Sequence, residues 1–225
     1  MLSNVQEKKI KQLHTKKGRE KLNLCLVEGT KSIKTAGSAI KLIFTRNDTK
    51  IFDQLVTTET PQNTAAIAYI PQFTIDDIQS QKTIVILDGV QDPGNIGSIF
   101  RLCLGFKASL ILVNSTDVTN PKVIRSSMGS IFQVPWVALK KQEFDKQIKN
   151  IKRPIYRLEK RKTSKILDNK LIKSLEKEIT LIAGSEGHGI QIDIKGTSVE
   201  IPHSIDLESL NVTHAIAIFL HARIK

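Results

Sequence analysis

The sequence predicts an α/β protein whose main part is a parallel sheet covered on both faces, preceded by a smaller α/β unit. Three observations carry that prediction. From Thr83 onward, continuous apolar runs of strand length alternate with helical segments; a shorter set of strand-like runs comes before them; and a polar, proline-containing stretch separates the two sets. Strands that are apolar throughout belong to sheets buried on both sides, because a solvated face would demand alternation. A chain of 225 residues can hold one large core or two modest ones, and two are expected here.

Residues 3–22 mix basic residues with Ile10 and Leu13 at helical spacing, which predicts a solvent-facing helix able to touch phosphates. LCLVEG (24–29), KLIFTR (41–46) and AAIAYI (65–70) read as strands of a first domain over 1–70, and PQFTIDDIQSQK (71–82) reads as a linker. A second domain, 83–225, carries TIVILDGV (83–90), SLILVN (109–114), PIYRLE (154–159), ITLIAGSE (179–186) and VEIP (199–202) as its strands. Between Lys140 and Lys177 fourteen Lys or Arg face five acids, an excess that suits a phosphate-tracking surface.

Composition narrows the function classes. Lys plus Arg number 34 against 22 Asp plus Glu, a net charge of +12, which favours a polyanionic partner. No apolar run reaches membrane-spanning length and no secretory signal pattern is visible, so a cytoplasmic protein without membrane contact is expected. Cys25 and Cys103 lie far apart in apolar surroundings, which predicts buried thiols rather than a disulfide. His203 and His214 match no zinc spacing, and no metal is expected.

In an open α/β sheet, ligands bind beyond the carboxyl ends of the strands, so the corners there deserve the closest reading. The first, DGVQDPGNIGSIFR (88–101), offers a Pro93-Gly94 turn, Asn95 as a helix cap, Gly97 for close backbone approach and Arg101 six positions on. Asn95 and Arg101 do not share a helix face; for both to act, Arg101 must reach back. The second, LIAGSEGHGI (181–190), sets Gly184, Gly187 and Gly189 around Glu186, in an order that matches neither a dinucleotide fingerprint nor a phosphate-binding loop. The third, beginning IPHSIDLESLNV (201–212), runs into an apolar C-terminal helix near Ser209 and Asn211.

Taken together, N-x-G-x₃-R, G-x-E-G-x-G and I-P-x₆-SLNV resemble the three motifs of the SpoU, or TrmH, family of the SPOUT superfamily. RSSMGSIFQVPW (125–136) resembles the family as well, and IKQLHTKKGREKLNLCLVEG (10–29) is similar to the substrate-binding domain that many members carry. The resemblance implies an RNA 2′-O-ribose methyltransferase using S-adenosylmethionine. It implies a SPOUT-type catalytic domain with a C-terminal trefoil knot behind a ribosomal-protein-like domain, and ribosomal RNA over transfer RNA as substrate. On the same basis Arg101 matches the catalytic arginine, and Asn95, Glu186, Ser209 and Asn211 match the polar residues around it. Gly184, Ile201 and Leu210 match positions whose backbone holds the cofactor. Because a guanidinium stays protonated, Arg101 is read as binding a phosphate and stabilising the developing alkoxide, with proton removal by the same arginine as the alternative.

Three departures bear on the cofactor pocket: Ile205 where members commonly have glycine, His214 where they have a small residue, and Gly105-Phe106 in reversed order. Each proposed catalytic side chain is intact, which favours an enzyme over a noncatalytic RNA-binding or ribosome-assembly protein of the same fold. Ile216, Ile218, Phe219 and Leu220 in the last helix predict a homodimer interface, with burial inside the chain's own core as the alternative.

Overall fold

The computed structural model describes residues 1–148 and 151–224; Lys149 of the basic stretch and the final Lys225 lie outside them. The chain begins with α1 (Asn4–Gln12) and α2 (Lys16–Leu22), followed by β1 (Leu24–Glu28), α3 (Thr30–Ala36), β2 (Ile40–Thr45), α4 (Phe52–Leu55) and β3 (Thr64–Tyr69). It continues through α5 (Ile75–Gln79), β4 (Thr83–Asp88), α6 (Pro93–Gly105), β5 (Ala108–Val113), α7 (Pro121–Ser126), β6 (Trp136–Leu139) and α8 (Lys141–Gln147). Last come β7 (Ile155–Leu158), β8 (Lys165–Ile166), α9 (Asn169–Ser174), β9 (Ile179–Gly184), β10 (Thr197–Glu200) and α10 (Val212–Ala222).

Strands β4 to β10 form a seven-stranded sheet in the order β6-β5-β4-β9-β7-β10-β8, parallel throughout. Every residue of β4 and β5 is buried, as continuous apolar runs require. Alternate side chains go to opposite faces: Val85, Leu87, Leu110 and Leu112 join the cluster under α6, α7 and α10, whereas Ile84, Ile86, Ile111 and Val113 join Ile78 and Phe144 on the other side. Strands β1, β3 and β2 form a separate antiparallel sheet.

Residues 3–22 are two helices rather than one solvent-facing helix. Thr15 caps α2 by accepting from the Gly18 amide, and Gly18 packs so closely on the end of α1 that a Cβ would lie 1.9 Å from the Gln12 carbonyl. The break lets Ile10 and Leu13, both fully buried, reach Leu24, Phe44 and Phe52. The stretch read as a linker carries α5, whose Thr74 and Asp77 make a capping box and whose Ile78 is fully buried.

Two charge pairs tie the small sheet to the large one. Arg19, 3% exposed, donates to Asp117 at 2.5 Å, to Thr119 at 3.0 Å and to the Leu13 carbonyl at 2.8 Å. Arg125 of α7 reaches Glu28 at 3.3 Å, and β1 packs along α7 so that Cys25 and Val27 share a buried cluster with Ile99 and Val123. Both thiols are buried, and desolvation pushes each up to about 12.

The basic stretch is less available to a partner than its composition suggests. Arg153 donates to the Gln79 and Gln81 carbonyls, and Arg157 is buried against Glu159 and the Ile192 and Ile194 carbonyls. Lys160 and Arg161 pair with Glu200 and Glu159. Arg153 and Arg157 thus supply donors to carbonyls at the end of α5, in the turn before β4 and in the loop between β9 and β10.

Candidate active site

Corners one and two follow β4 and β9, which lie side by side, so the fold brings them together at the carboxyl edge. Sheet order reverses there: the chain runs from β4 outward to β5 and β6, and β9 then returns to β4's other side. The third corner follows β10 and leads into α10, which packs on α6.

Asp92, not Asn95, caps α6. Its Oδ1 accepts the Asn95 amide at 2.7 Å and Pro93 occupies the first helical position. With the cap supplied by Asp92, the Asn95 side chain is left to face the other two corners. Its Nδ2 donates to Glu186 Oε1 at 2.9 Å, while its Oδ1 accepts from Asn211 Nδ2 at 3.0 Å. Asn211 Nδ2 also reaches Glu186 Oε1 at 3.2 Å. Asn211 is a helix cap as well: its Oδ1 accepts the Thr213 amide at 2.9 Å, and the amide nitrogen does the bridging. Thr213 adds its hydroxyl to Asn95 Oδ1 at 3.3 Å, a member that sequence spacing did not single out.

Ser209, Leu210 and Ile201 line a neighbouring cavity of about 140 Å³ with Leu158, Glu159 and His203. His203 Nδ1 donates to the Ile201 carbonyl at 2.7 Å, since a carbonyl oxygen can only accept. Burial raises the Glu159 carboxyl, but hydrogen bonds from Arg157 and Ser198 outweigh that and hold it below the usual carboxylate range. Gly184 lines no part of this cavity. A Cβ there would lie 2.1 Å from the Gly189 carbonyl carbon, so its first requirement is closure of its own loop. Gly97 meets the same demand on α6, where a Cβ would lie 1.9 Å from Ser126 Oγ.

Arg101 stands apart. It is exposed on α6, roughly 9 Å along the helix axis from Asn95 at 1.5 Å per residue, and has no hydrogen-bond or ion-pair partner among the described residues. Ile205, which departs from the family pattern, is 95% exposed, and His214 is exposed too. Among the described residues no group of three or more His, Cys, Asp or Glu could hold a metal ion, and no helix is long and apolar enough to cross a membrane.

The sequence model of the SpoU rRNA Methylase family matches residues 82–221. The chain is 28% identical over 243 residues to the 23S rRNA (guanosine(2553)-2′-O)-methyltransferase RlmP of Bacillus subtilis (strain 168), covering 97% of this chain and 95% of that protein. It is 34% identical over 185 residues to a 23S rRNA (adenosine(1067)-2′-O)-methyltransferase of Streptomyces azureus, covering 79% and 68%. Among solved structures, the AdoMet bound rRNA methyltransferase from Sinorhizobium meliloti superposes with a TM-score of 0.83 at 25% identity, covering 99% of this chain and 95% of that one. The three motifs stand in the family's order, their polar residues meet at one edge of the sheet, and the match runs through most of the chain: it belongs to the SpoU rRNA Methylase family.

Proposed function

We infer that this protein is an RNA 2′-O-methyltransferase that uses S-adenosylmethionine to methylate a ribose hydroxyl, with ribosomal RNA as its substrate class. The observation that carries this reading is the meeting of Asn95, Glu186 and Asn211, from three separate corners, beside a partly apolar cavity. The names of the related 23S rRNA enzymes support the choice of RNA.

The cavity's walls suit the cofactor. Leu158, Ile201 and Leu210 offer apolar surface to an adenosine, and Glu208 and Glu159 bring carboxylates toward a cationic ligand. Bound there, S-adenosylmethionine would supply an electrophilic methyl group and a neutral thioether as leaving group. Backbone at Ile201 and Leu210, which line the cavity, is assigned to holding it; Gly184, outside that lining, is assigned to the same role on its place in the second motif alone. Asn95, Glu186 and Asn211 orient the ribose side of the site, and their mutual hydrogen bonds spare them reorganisation during the reaction. Ser209, exposed at the cavity rim, is assigned to the same polar set. Arg101, lacking any protein partner among the described residues, is the cation assigned to the substrate phosphate and the developing alkoxide.

Residues 1–70 are assigned to RNA binding as a ribosomal-protein-like domain, a role supported by exposed Lys8, Lys9, Lys11, Lys16 and Lys17. Residues 71–82 then serve as the connection, and 83–225 as the methyltransferase domain with its C-terminal trefoil knot. The setting assigned is the cytoplasm. A homodimer completes the reading, but its support has shifted: Ile216, Phe219 and Leu220 are buried within the chain, and Ile218 at 42% is the apolar residue that α10 leaves exposed. Light scattering at micromolar concentration is expected to give a dimer mass, and Ile218→Glu to shift it toward monomer; a wild-type monomer would remove the dimer.

The activity is tested by mapping 2′-O-methyl sites in total RNA from wild-type and deletion strains, with calorimetric titration of S-adenosylmethionine into the purified protein. Loss of one site in ribosomal RNA and saturable cofactor binding are expected. A protein that binds RNA but not the cofactor would be a noncatalytic relative.

A further inference from the structure

The loop bearing Glu186 is fastened at both ends to a single buried acid. Asp88, 4% exposed, is the last residue of the central strand β4. Its backbone carbonyl accepts the Ser185 amide at 3.1 Å, where the loop leaves β9. Its side-chain Oδ2 accepts the amides of Gln191 at 2.5 Å and Ile192 at 2.7 Å, where the loop returns. No ion pair reaches Asp88 among the described residues, so backbone amides are what compensate the buried carboxylate.

Little slack remains between these anchors. The Gly189 amide donates to the Ser185 carbonyl at 2.8 Å, and Gly189 itself lies at a φ of +64°, a conformation that glycine adopts without strain. Glu186 stands inside this closed turn and receives Asn95 and Asn211 on one oxygen. We propose that Asp88 is a positioning residue for methyl transfer: through the 185–192 backbone it sets where Glu186 meets the two asparagines. The proposal rests on the reading of that cluster as the methyl-transfer site. A misplacement of this kind typically costs up to about 10²-fold in rate with substrate affinity little changed.

The test uses the full chain carrying Asp88→Asn, Glu186→Ala and both together, assayed for kcat and KM on a 23S rRNA transcript. Amide hydrogen exchange across 185–192 is followed in parallel. Asparagine keeps the size and one neutral acceptor, so the fold should survive where alanine would risk it. Asp88→Asn is expected to lower kcat on the order of tenfold, to leave the RNA KM within a few fold, and to speed exchange mainly at 186–191. Added to Glu186→Ala, it is expected to cost less than about twofold more, because both changes remove one function. Multiplying effects in the double variant, or a wild-type kcat in Asp88→Asn, would overturn the proposal. If the wild-type protein methylates no RNA, the functional reading fails; exchange still judges the clamp, since unchanged protection in Asp88→Asn overturns it and faster local exchange upholds the anchoring.

Discussion

Arg101→Ala is expected to reduce methyl transfer on the order of 10²-fold or more, while S-adenosylmethionine affinity stays within a few fold. The two effects separate because Arg101 is absent from the lining of the cavity formed by Ile201, Ser209 and Leu210. It is exposed and makes no hydrogen bond among the described residues, so its removal unpairs nothing and should move stability by no more than about 0.5 kcal/mol. What it does remove is the cation proposed to meet charge that develops only in the transition state. Arg101→Lys should not restore the rate, because an ammonium lacks the planar fork that can engage a phosphate and an alkoxide together. Asn95→Ala should cost less: Glu186 is exposed, and water can take the place of the lost amide. Single-turnover transfer of labelled methyl groups, with calorimetry on the same samples, measures both quantities. Near wild-type transfer by a folded Arg101→Ala protein would make Arg101 an ordinary surface cation.

Arg19→Ala is expected to destabilise the protein by about 3–5 kcal/mol, a large share of the stability of most domains. The guanidinium is held by Asp117, Thr119 and the Leu13 carbonyl, and deleting it leaves a largely buried carboxylate without its cation. The effect carries a pH signature. Burial pushes the Asp117 carboxyl up, but hydrogen bonds from Arg19 and Thr119 outweigh it and hold the group below the usual carboxylate range. A lowered folded-state value means the pair's contribution is present above the unfolded carboxylate value of about 3.9 and is lost as pH falls through the folded one. Urea denaturation should therefore show the difference between wild type and Arg19→Ala to be full near neutrality and smaller below about pH 3. A pH-independent difference would mean that packing, not the ion pair, fastens α2 to the loop after β5. Point substitution is a better probe of this junction than deletion of residues 1–70, which would strip Cys25, Val27, Ala66 and Ala68 from a cluster shared with the large sheet.

Local sequence determined the three strands of the small sheet, all but two of the large one and the three corners. A strand buried on two faces needs an unbroken apolar run, and a corner needs Gly, Pro or a cap, so TIVILD and DPGN declare themselves without reference to the rest of the chain. Short elements escaped where that signal is weak. Strand β6 is four residues only partly buried or exposed, β8 is two exposed residues in a charged stretch, and α5 announced itself only through the Thr74–Asp77 capping box. The cap of α6 was ambiguous for another reason: Asp92 and Asn95 both suit the start of a helix. What separates them is Glu186, 91 residues away, which engages the Asn95 amide once Asp92 has taken the cap. The apolar face of α10 was equally ambiguous, since Ile216 and Phe219 would look the same in a core or at an interface; their burial against the sheet depends on where α10 docks. Periodicity reports which face of an element is apolar, not which strand lies beside it. Only tertiary structure, by setting β9 next to β4 and α10 against α6, could bring Asn95, Glu186 and Asn211 within hydrogen-bonding distance and place the Asp88 carboxylate under the loop that carries Glu186.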